Sequence, residues 1–263
     1  MTRRVDPITI MGLGMLLMPL LTMWHEIGGH AAFCAIQGGH VRTIGAFYVD
    51  CEGLSGAARV LMSCAGVLVN AILSVIAYVI WRGARSDLAR LALWLIWVSE
   101  GFVAAGYFCF SGVTGSGDLA TGTAGEGLGA VPDPILWRIG EFTLGATVYV
   151  LMVMRAIKAL ATMTGNGPET RSVRQVIAHG YYATVGAAAV LIGLLNPVGA
   201  VITIMSAAAS SFGGLAGMIS IGFATRPEQT AANFVVGRSW PLFVAGAAAL
   251  LIFGLVFGPS RSF

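Results

Sequence analysis

The N-terminal segment Ile8–Gln37 reads ITIMGLGMLLMPLLTMWHEIGGHAAFCAIQ, which is long and apolar enough to cross a membrane. Its only ionisable side chains are those of His25, Glu26, His30 and Cys34. Polar side chains at membrane depth are costly, and their presence usually indicates function. Two imidazoles beside a carboxylate are typical of a zinc site with a general base. This segment therefore predicts both a membrane helix and a metal centre.

The two histidines are five residues apart, whereas the metalloprotease motif HExxH separates them by four. On a regular α-helix, four steps leave two side chains about 40° apart and five steps leave them about 140° apart. His25 and His30 can share one metal ion only if the helix absorbs one extra residue, as a π-bulge does. Gly28 and Gly29 lie where this distortion is sterically easiest. The spacing also resembles the HExxxH motif of the dipeptidyl-peptidase III family; the alternative is that the histidines merely hydrogen-bond between helices.

Composition predicts an all-α polytopic membrane protein. Of the 263 residues, 57% are hydrophobic and 10% are charged, and the mean hydropathy is +0.83. The seven predicted spans are Ile8–Gln37, Ala57–Trp81, Leu88–Val113, Ile135–Ala161, Val176–Leu195, Val198–Ala224 and Trp240–Phe257. The start of the chain resembles a signal peptide, but the polar HEIGGH occupies the place of a cleavage site and favours a retained helix. We expect one membrane domain, with a catalytic core in residues 1–134 and accessory helices in residues 135–263.

The basic residues indicate topology and not nucleic-acid binding, because they are scattered among loops. Of 15 basic residues, eleven fall on the N-terminal side of the seven-span topology: Arg3, Arg4, Arg82, Arg85, Arg90, Arg155, Lys158, Arg171, Arg174, Arg226 and Arg238. The remaining four are Arg42, Arg59, Arg138 and Arg261. The excess predicts a cytoplasmic N-terminus. The four cysteines have no CxxC or other ligand spacing, so we interpret them mainly as small apolar side chains.

The connection 114–134 is rich in glycine and contains three acids but no Lys or Arg. It is either a flexible linker or irregular backbone that lines a water-filled cavity. A catalytic zinc ion with two histidines needs a third protein ligand, and Asp118 lies on the matching side of the membrane. Glu126 and Asp133 are the alternative ligands. Glu100, within the third span, is interpreted as a buried polar contact, a group that supports the metal ligands, or part of a proton path.

Three motifs in residues 15–120 together resemble the site-2 protease family of intramembrane zinc metalloproteases. HEIGGH at His25–His30 corresponds to the family's HExxH motif, with one additional residue between the histidines. AGVLVN at Ala65–Asn70 stands for AGPxxN, with valine in place of the proline. Gly117 and Asp118 stand for the LDG aspartate, although leucine follows the aspartate in this chain.

The resemblance implies a role for each matching side chain. The zinc ligands would be His25, His30 and Asp118, and Glu26 would act as the general base. Asn70 would help to position the substrate. In the predicted mechanism, Zn²⁺ and Asn70 also stabilise the oxyanion. In that family, the end of the first helix next to the histidines usually faces the cytoplasm, which is opposite to the orientation that the charge count predicts.

Residues 39–50 (GHVRTIGAFYVD) are rich in β-branched and aromatic side chains and predict a strand. In the resembling family, a membrane-associated β-structure at this place receives the substrate; the alternative is an ordinary amphipathic loop, and His40 is interpreted as a surface residue. The predicted function is zinc-dependent hydrolysis of peptide bonds in single-pass membrane proteins, within the lipid bilayer of a bacterial inner membrane. The alternatives are a catalytically inactive membrane scaffold of the same fold and a metal-dependent transporter.

Overall fold

A computed structural model of the chain describes residues 4–121, 127–165, 167–199, 202–225 and 233–263. The helices are α1 (Pro7–Met23), α2 (Ala32–Ile36), α3 (Gly56–Gly83), α4 (Asp87–Thr114), α5 (Pro134–Thr164), α6 (Arg171–Gly193), α7 (Gly217–Phe223) and α8 (Trp240–Phe257). Two π-helical segments occupy Trp24–Ala31 and Ile202–Gly213, and a 3-10 turn occupies Pro168–Thr170. The strands are β1 (His40–Ile44), β2 (Val49–Glu52) and β3 (Arg261–Ser262). Glu126, one alternative metal ligand, lies outside the described residues, as do Arg3 and Arg226.

The chain has the architecture of a multi-pass membrane protein, and the expected all-α fold is confirmed. Seven helices of the described residues are long and apolar enough to cross a membrane: Pro7–Ile36, Gly56–Gly83, Asp87–Thr114, Pro134–Thr164, Pro168–Gly193, Met205–Phe223 and Trp240–Phe257. The first span joins α1, the first π-helical segment and α2 without a break. The predicted sixth span starts at Val198, but residues 197–199 form a turn, and the second π-helical segment follows this turn.

Contacts at one end of the bundle join the N-terminus to two later connections. The Asp6 side chain caps α1 by accepting from the backbone N–H of Ile8, and its other oxygen pairs with Arg238 Nε at 3.1 Å. The carboxylate of Asp87, at the start of α4, accepts from the backbone N–H of Val235 at 2.9 Å. Alternating spans would place these segments on one side of a membrane, and the contacts agree with that topology.

The C-terminus lies at the opposite end of the bundle, beside the β-hairpin. The backbone N–H of Phe263 donates to the carbonyl of Arg42 at 2.9 Å, and β3 pairs antiparallel with β1. The Ser260 hydroxyl hydrogen-bonds Tyr48 at 2.9 Å and accepts from the Asn196 amide at 3.2 Å. This second end therefore contains the hairpin, the turn after α6 and the C-terminal residues.

The segment predicted as one strand is a hairpin in a three-stranded sheet of order β2-β1-β3. β1 and β2 pair antiparallel, with a shift in register between Val41 and Thr43, and the outer edge of β2 pairs with no strand among the described residues. His40 is exposed, as expected for a surface residue.

The interpretation of most cysteines as small apolar side chains is wrong, because two of the four form a disulfide. Cys34 in α2 and Cys51 in β2 form a disulfide, with their Cα atoms 6.1 Å apart, whereas Cys64 and Cys109 are free. The pair is 17 residues apart in sequence and meets only because the hairpin folds back over the end of the first span. Sequence spacing alone does not determine disulfide connectivity.

Candidate metal centre

The histidine pair lies in the π-helical segment Trp24–Ala31, which confirms the predicted π-bulge. In a π-helix, the i→i+5 hydrogen bonds bring residues five positions apart to the same side. The Nε2 atoms of His25 and His30 are consequently 3.1 Å apart, and both side chains are buried. The π-helical backbone thus avoids the angle of about 140° that would separate the two side chains around a regular α-helix.

Two glycines allow α3 to approach this segment closely. A Cβ atom added to Gly29 would lie 2.7 Å from the Cα atom of Gly66. A Cβ atom added to Gly66 would lie 2.4 Å from the ring of His25 and 2.5 Å from Nε2 of His30. Real Cβ atoms essentially never approach heavy atoms this closely. Gly66, within the AGVLVN motif, therefore leaves the space that the two imidazoles occupy.

Asp118 completes the cluster from the connection after α4. Its Oδ2 atom is 3.2 Å from Nε2 of His25 and 3.3 Å from Nε2 of His30. The chain reaches this position because α4 ends at Gly115 in the left-handed conformation and Gly117 also has positive φ (+87°), which favours glycine. Burial raises the pKa of the Asp118 carboxyl, whereas the neighbouring imidazoles, when protonated, lower it below its ordinary value.

The alternative ligand Asp133 lies elsewhere. It is exposed at the N-terminus of α5 and takes no part in the cluster. Among the described residues, the one group of His, Cys, Asp and Glu side chains arranged to hold a metal ion consists of His25, His30 and Asp118. The structure therefore brings together the three side chains that the sequence assigned as zinc ligands.

The outer nitrogens of the two imidazoles determine which atoms face Asp118. Nδ1 of His30 donates to the carbonyl of Met62 at 2.9 Å. The side-chain amide of Asn70 matches the donors and acceptors around it in the orientation in which its oxygen accepts from Nδ1 of His25 at 3.1 Å. With Nδ1 protonated in both rings, each neutral imidazole presents the lone pair of Nε2 to the Asp118 carboxylate.

Three electron-pair donors at these distances require a cation or an added proton between them. Tetrahedral zinc with bonds of about 2.0–2.2 Å holds its ligand atoms about 3.3–3.6 Å apart. The three separations in the cluster are 3.1, 3.2 and 3.3 Å, so one lies at the lower limit of this range and two lie slightly below it. The donor set of two imidazoles and one carboxylate also matches catalytic zinc sites, which keep a fourth position open. The residues present therefore fit a zinc ion.

Glu26 lies beside the cluster without belonging to it. The residue is 4% exposed, and its Oε2 atom accepts no hydrogen bond from the described residues. Its carboxylate interacts electrostatically with His25, His30 and Asp118. Glu26 and His30 both line a large cavity.

Tyr107 is a candidate functional residue that the sequence analysis missed. Its ring stacks on that of His25, with centroids 5.0 Å apart and planes 11° apart, and its hydroxyl lies 3.2 Å from Nε2 of His25. The sequence did contain a signal, because Tyr107 follows Glu100 by seven residues in α4. Two helical turns place both polar side chains on the same face of that helix.

The cavity beside the cluster has a volume of about 960 Å³. It is lined by residues from the first span, the hairpin turn, α3, α4 and the second π-helical segment; examples are Phe47, Tyr48, Met62, Ser206 and Ser210. Helices from both halves of the chain thus surround one site.

Comparisons with protein-family models, curated proteins and solved structures find no match for the chain.

Proposed function

We propose that the chain is an intramembrane zinc metalloprotease that hydrolyses peptide bonds in the transmembrane segments of single-pass membrane proteins. The observation that supports this most strongly is the convergence of His25, His30 and Asp118 at near-tetrahedral ligand spacing within a membrane-spanning helix and the connection after α4. Ionisable groups at this depth are costly unless they serve a function.

A Zn²⁺ ion held by these three side chains would activate a water molecule and polarise the scissile carbonyl. Glu26 accepts a proton from the attacking water at Oε2, which receives no hydrogen bond from the described residues. The water oxygen bonds to the carbonyl carbon, the C–N bond breaks, and Glu26 returns the proton to the leaving nitrogen. This sequence of proton transfers accounts for the position of a free carboxylate next to the ligand cluster.

The proposal changes the role that the resemblance implied for Asn70. Asn70 is 1% exposed, and its amide is engaged with His25, the carbonyl of Gly66 and Glu100. It therefore positions a ligand and does not stabilise the oxyanion. Tyr107, whose hydroxyl lies beside the cluster and faces the cavity, supplies the hydrogen bond to the developing negative charge.

The cavity and the hairpin suit an extended peptide. A membrane helix must unwind before its carbonyl reaches the site, and its free backbone groups then need new hydrogen bonds. Val49, the first residue of β2, lines the cavity, and the outer edge of β2 has no strand partner among the described residues. Pairing with this edge would satisfy the unwound backbone of the substrate.

We also propose that the site opens toward an oxidising compartment, such as the periplasm of a bacterium with this protein in its inner membrane. The Cys34–Cys51 disulfide lies at the site end of the first span, and disulfides persist in oxidising compartments. The charge count independently places the opposite end of the bundle in the cytoplasm. A reporter fused after Arg85 should be active in the cytoplasm, and one fused after Pro134 should be active outside; the reverse pattern would contradict this orientation.

The decisive experiment compares the full-length parent with Glu26→Gln, which keeps size and polarity but removes the basic carboxylate. Cleavage of a helical transmembrane substrate in liposomes should fall by about 10²–10⁴-fold, because the general base is lost. Zinc content, measured in parallel, should remain at the parental value. A variant that cleaves like the parent would refute the assigned base, and a zinc-loaded parent that cleaves no membrane segment would favour the scaffold.

A further inference from the structure

Glu100 is a buried acid within a membrane span that the proposed chemistry does not use. It lies in α4, is 2% exposed, and has a side chain that faces the first span and α3. An acidic side chain at this depth is costly and usually has a functional partner. Its Oε2 atom lies 3.2 Å from the side-chain amide of Asn70, the residue that contacts His25.

A chain of hydrogen bonds connects Glu100 to the metal cluster. In the amide orientation that satisfies all three neighbours, the Asn70 nitrogen donates to Oε2 of Glu100 at 3.2 Å and to the carbonyl of Gly66 at 3.2 Å. The Asn70 oxygen accepts from Nδ1 of His25 at 3.1 Å. Two acceptors on one side of the amide thus fix its NH₂ group there and direct its oxygen toward the imidazole.

The orientation of this amide determines the tautomer of His25. A reversed amide would present its NH₂ group to Nδ1 of His25, which would then have to accept the hydrogen bond. The proton would move to Nε2 and remove the lone pair that faces Asp118. Partners of the outer nitrogen of a metal-binding histidine commonly fix the tautomer in this way.

His30 provides an internal comparison. Its Nδ1 donates to a backbone carbonyl, that of Met62, which can only accept. His25 instead depends on a side-chain amide that can turn over, so it needs a further group to fix that amide. The carbonyl of Gly66 contributes one acceptor, and Glu100 contributes the second.

We propose that Glu100 is a positioning residue that fixes the Asn70 amide and thereby holds His25 in the tautomer that binds the metal ion. This inference rests on the zinc centre of the proposed function. Glu100 touches neither the substrate nor the metal ion, and it acts through Asn70. Replacing it by a side chain without an acceptor should therefore weaken zinc binding without changing any ligand.

The test is the zinc affinity of the purified full-length protein in detergent, measured by competition with a chelator. Glu100→Met keeps the volume but removes the acceptor, and it should weaken zinc binding by about 10–100-fold. Glu100→Gln retains an oxygen that can accept from Asn70, and it should restore an affinity close to that of the parent. Glu100→Ala provides a second acceptor-free variant in case the longer apolar side chain disturbs folding.

The matched control is Glu141→Met. Glu141 is also a buried acid in a membrane span (6% exposed, in α5), but it takes no part in the cluster. Its replacement should leave zinc affinity unchanged. A double variant, Glu100→Met with Asn70→Leu, should bind zinc as weakly as Asn70→Leu alone, because both changes break the same chain of hydrogen bonds.

The outcomes separate this inference from the proposed function. A parent that binds no zinc overturns both. If the parent binds zinc, and Glu100→Met and Glu100→Ala bind it equally tightly, the positioning role alone is overturned. Failure of Glu100→Gln to restore affinity, or independent and additive losses in the double variant, would also contradict a role that acts through Asn70.

Discussion

The two π-helical segments lie against the same cavity but have different contents. The first, Trp24–Ala31, contains the two histidines and the glutamate of the candidate site. The second, Ile202–Gly213 (ITIMSAAASSFG), consists largely of small and apolar residues and lines the cavity with Met205, Ser206 and Ala209. The same backbone distortion thus accompanies candidate metal ligands in one segment and small cavity-lining side chains in the other.

The difference shows which kinds of π-helix can be inferred from sequence. In the first segment, the expected convergence of His25 and His30 on one metal ion imposes a geometric condition that a regular helix cannot meet. In the second segment, no pair of side chains has to converge, so its sequence carries no comparable condition. The expected metal site made the first distortion predictable, whereas the sequence of the second segment contains no comparable signal.

The largest expected effect is the loss of the metal ion from variants of the cluster. Asp118→Ala or His30→Ala should reduce zinc from about one ion per chain to almost none, because two remaining ligands do not hold a structural or catalytic zinc site. Elemental analysis of the purified protein measures this directly. Ser210→Ala, in the second π-helical segment, is the control and should retain the ion. If Asp118→Ala keeps its zinc whereas Asp133→Ala loses it, the third ligand is wrong.

A smaller effect is expected from removing one hydroxyl near each segment. Tyr107→Phe should lower the turnover of a membrane substrate by about 10²–10³-fold with zinc retained, because one donor to the oxyanion is lost. Tyr149→Phe is the matched control: its hydroxyl donates to the carbonyl of Gly214 and accepts from the N–H of Gly217, both at 2.7 Å, next to the second segment.

The control variant should lose about 1–3 kcal/mol of stability, because two hydrogen bonds of about 0.5–1.5 kcal/mol each are removed, but it should lose little turnover. Comparing kcat, zinc content and melting temperature for both tyrosine variants separates chemistry from structure. Equal losses of turnover in Tyr107→Phe and Tyr149→Phe would assign Tyr107 a structural role only.

Hydropathy was sufficient to predict the helical spans, because each apolar run long enough to cross a membrane is a local property of the sequence. The placement of Asp118 could also be predicted from the sequence, since it follows α4 on the side where the histidines lie. Metal binding by this cluster stays a prediction.

Features that depend on contacts between distant parts of the chain could not be predicted from the sequence. The Cys34–Cys51 pair forms only after the hairpin folds back, and β3 joins β1 from the far end of the chain. The close approach of Gly29 and Gly66 likewise depends on the packing of two spans, and a glycine in a motif does not reveal which atoms lie opposite it.

The smallest expected effect compares one glycine in each π-helical segment. A Cβ atom at Gly29 would lie 2.7 Å from Cα of Gly66, whereas one at Gly213 would have no heavy atom of the described residues within 4 Å. Gly29→Ala should therefore cost about 1–3 kcal/mol through overpacking and should weaken zinc binding, because α3 can no longer approach the imidazoles. Gly213→Ala should change stability by no more than about 0.5 kcal/mol, as is usual for substitutions outside such contacts. Thermal unfolding in detergent, with zinc content measured on the same samples, checks both. Similar melting temperatures for the two variants would show that the helix contact at Gly29 adapts, and that the first segment is no more tightly constrained than the second.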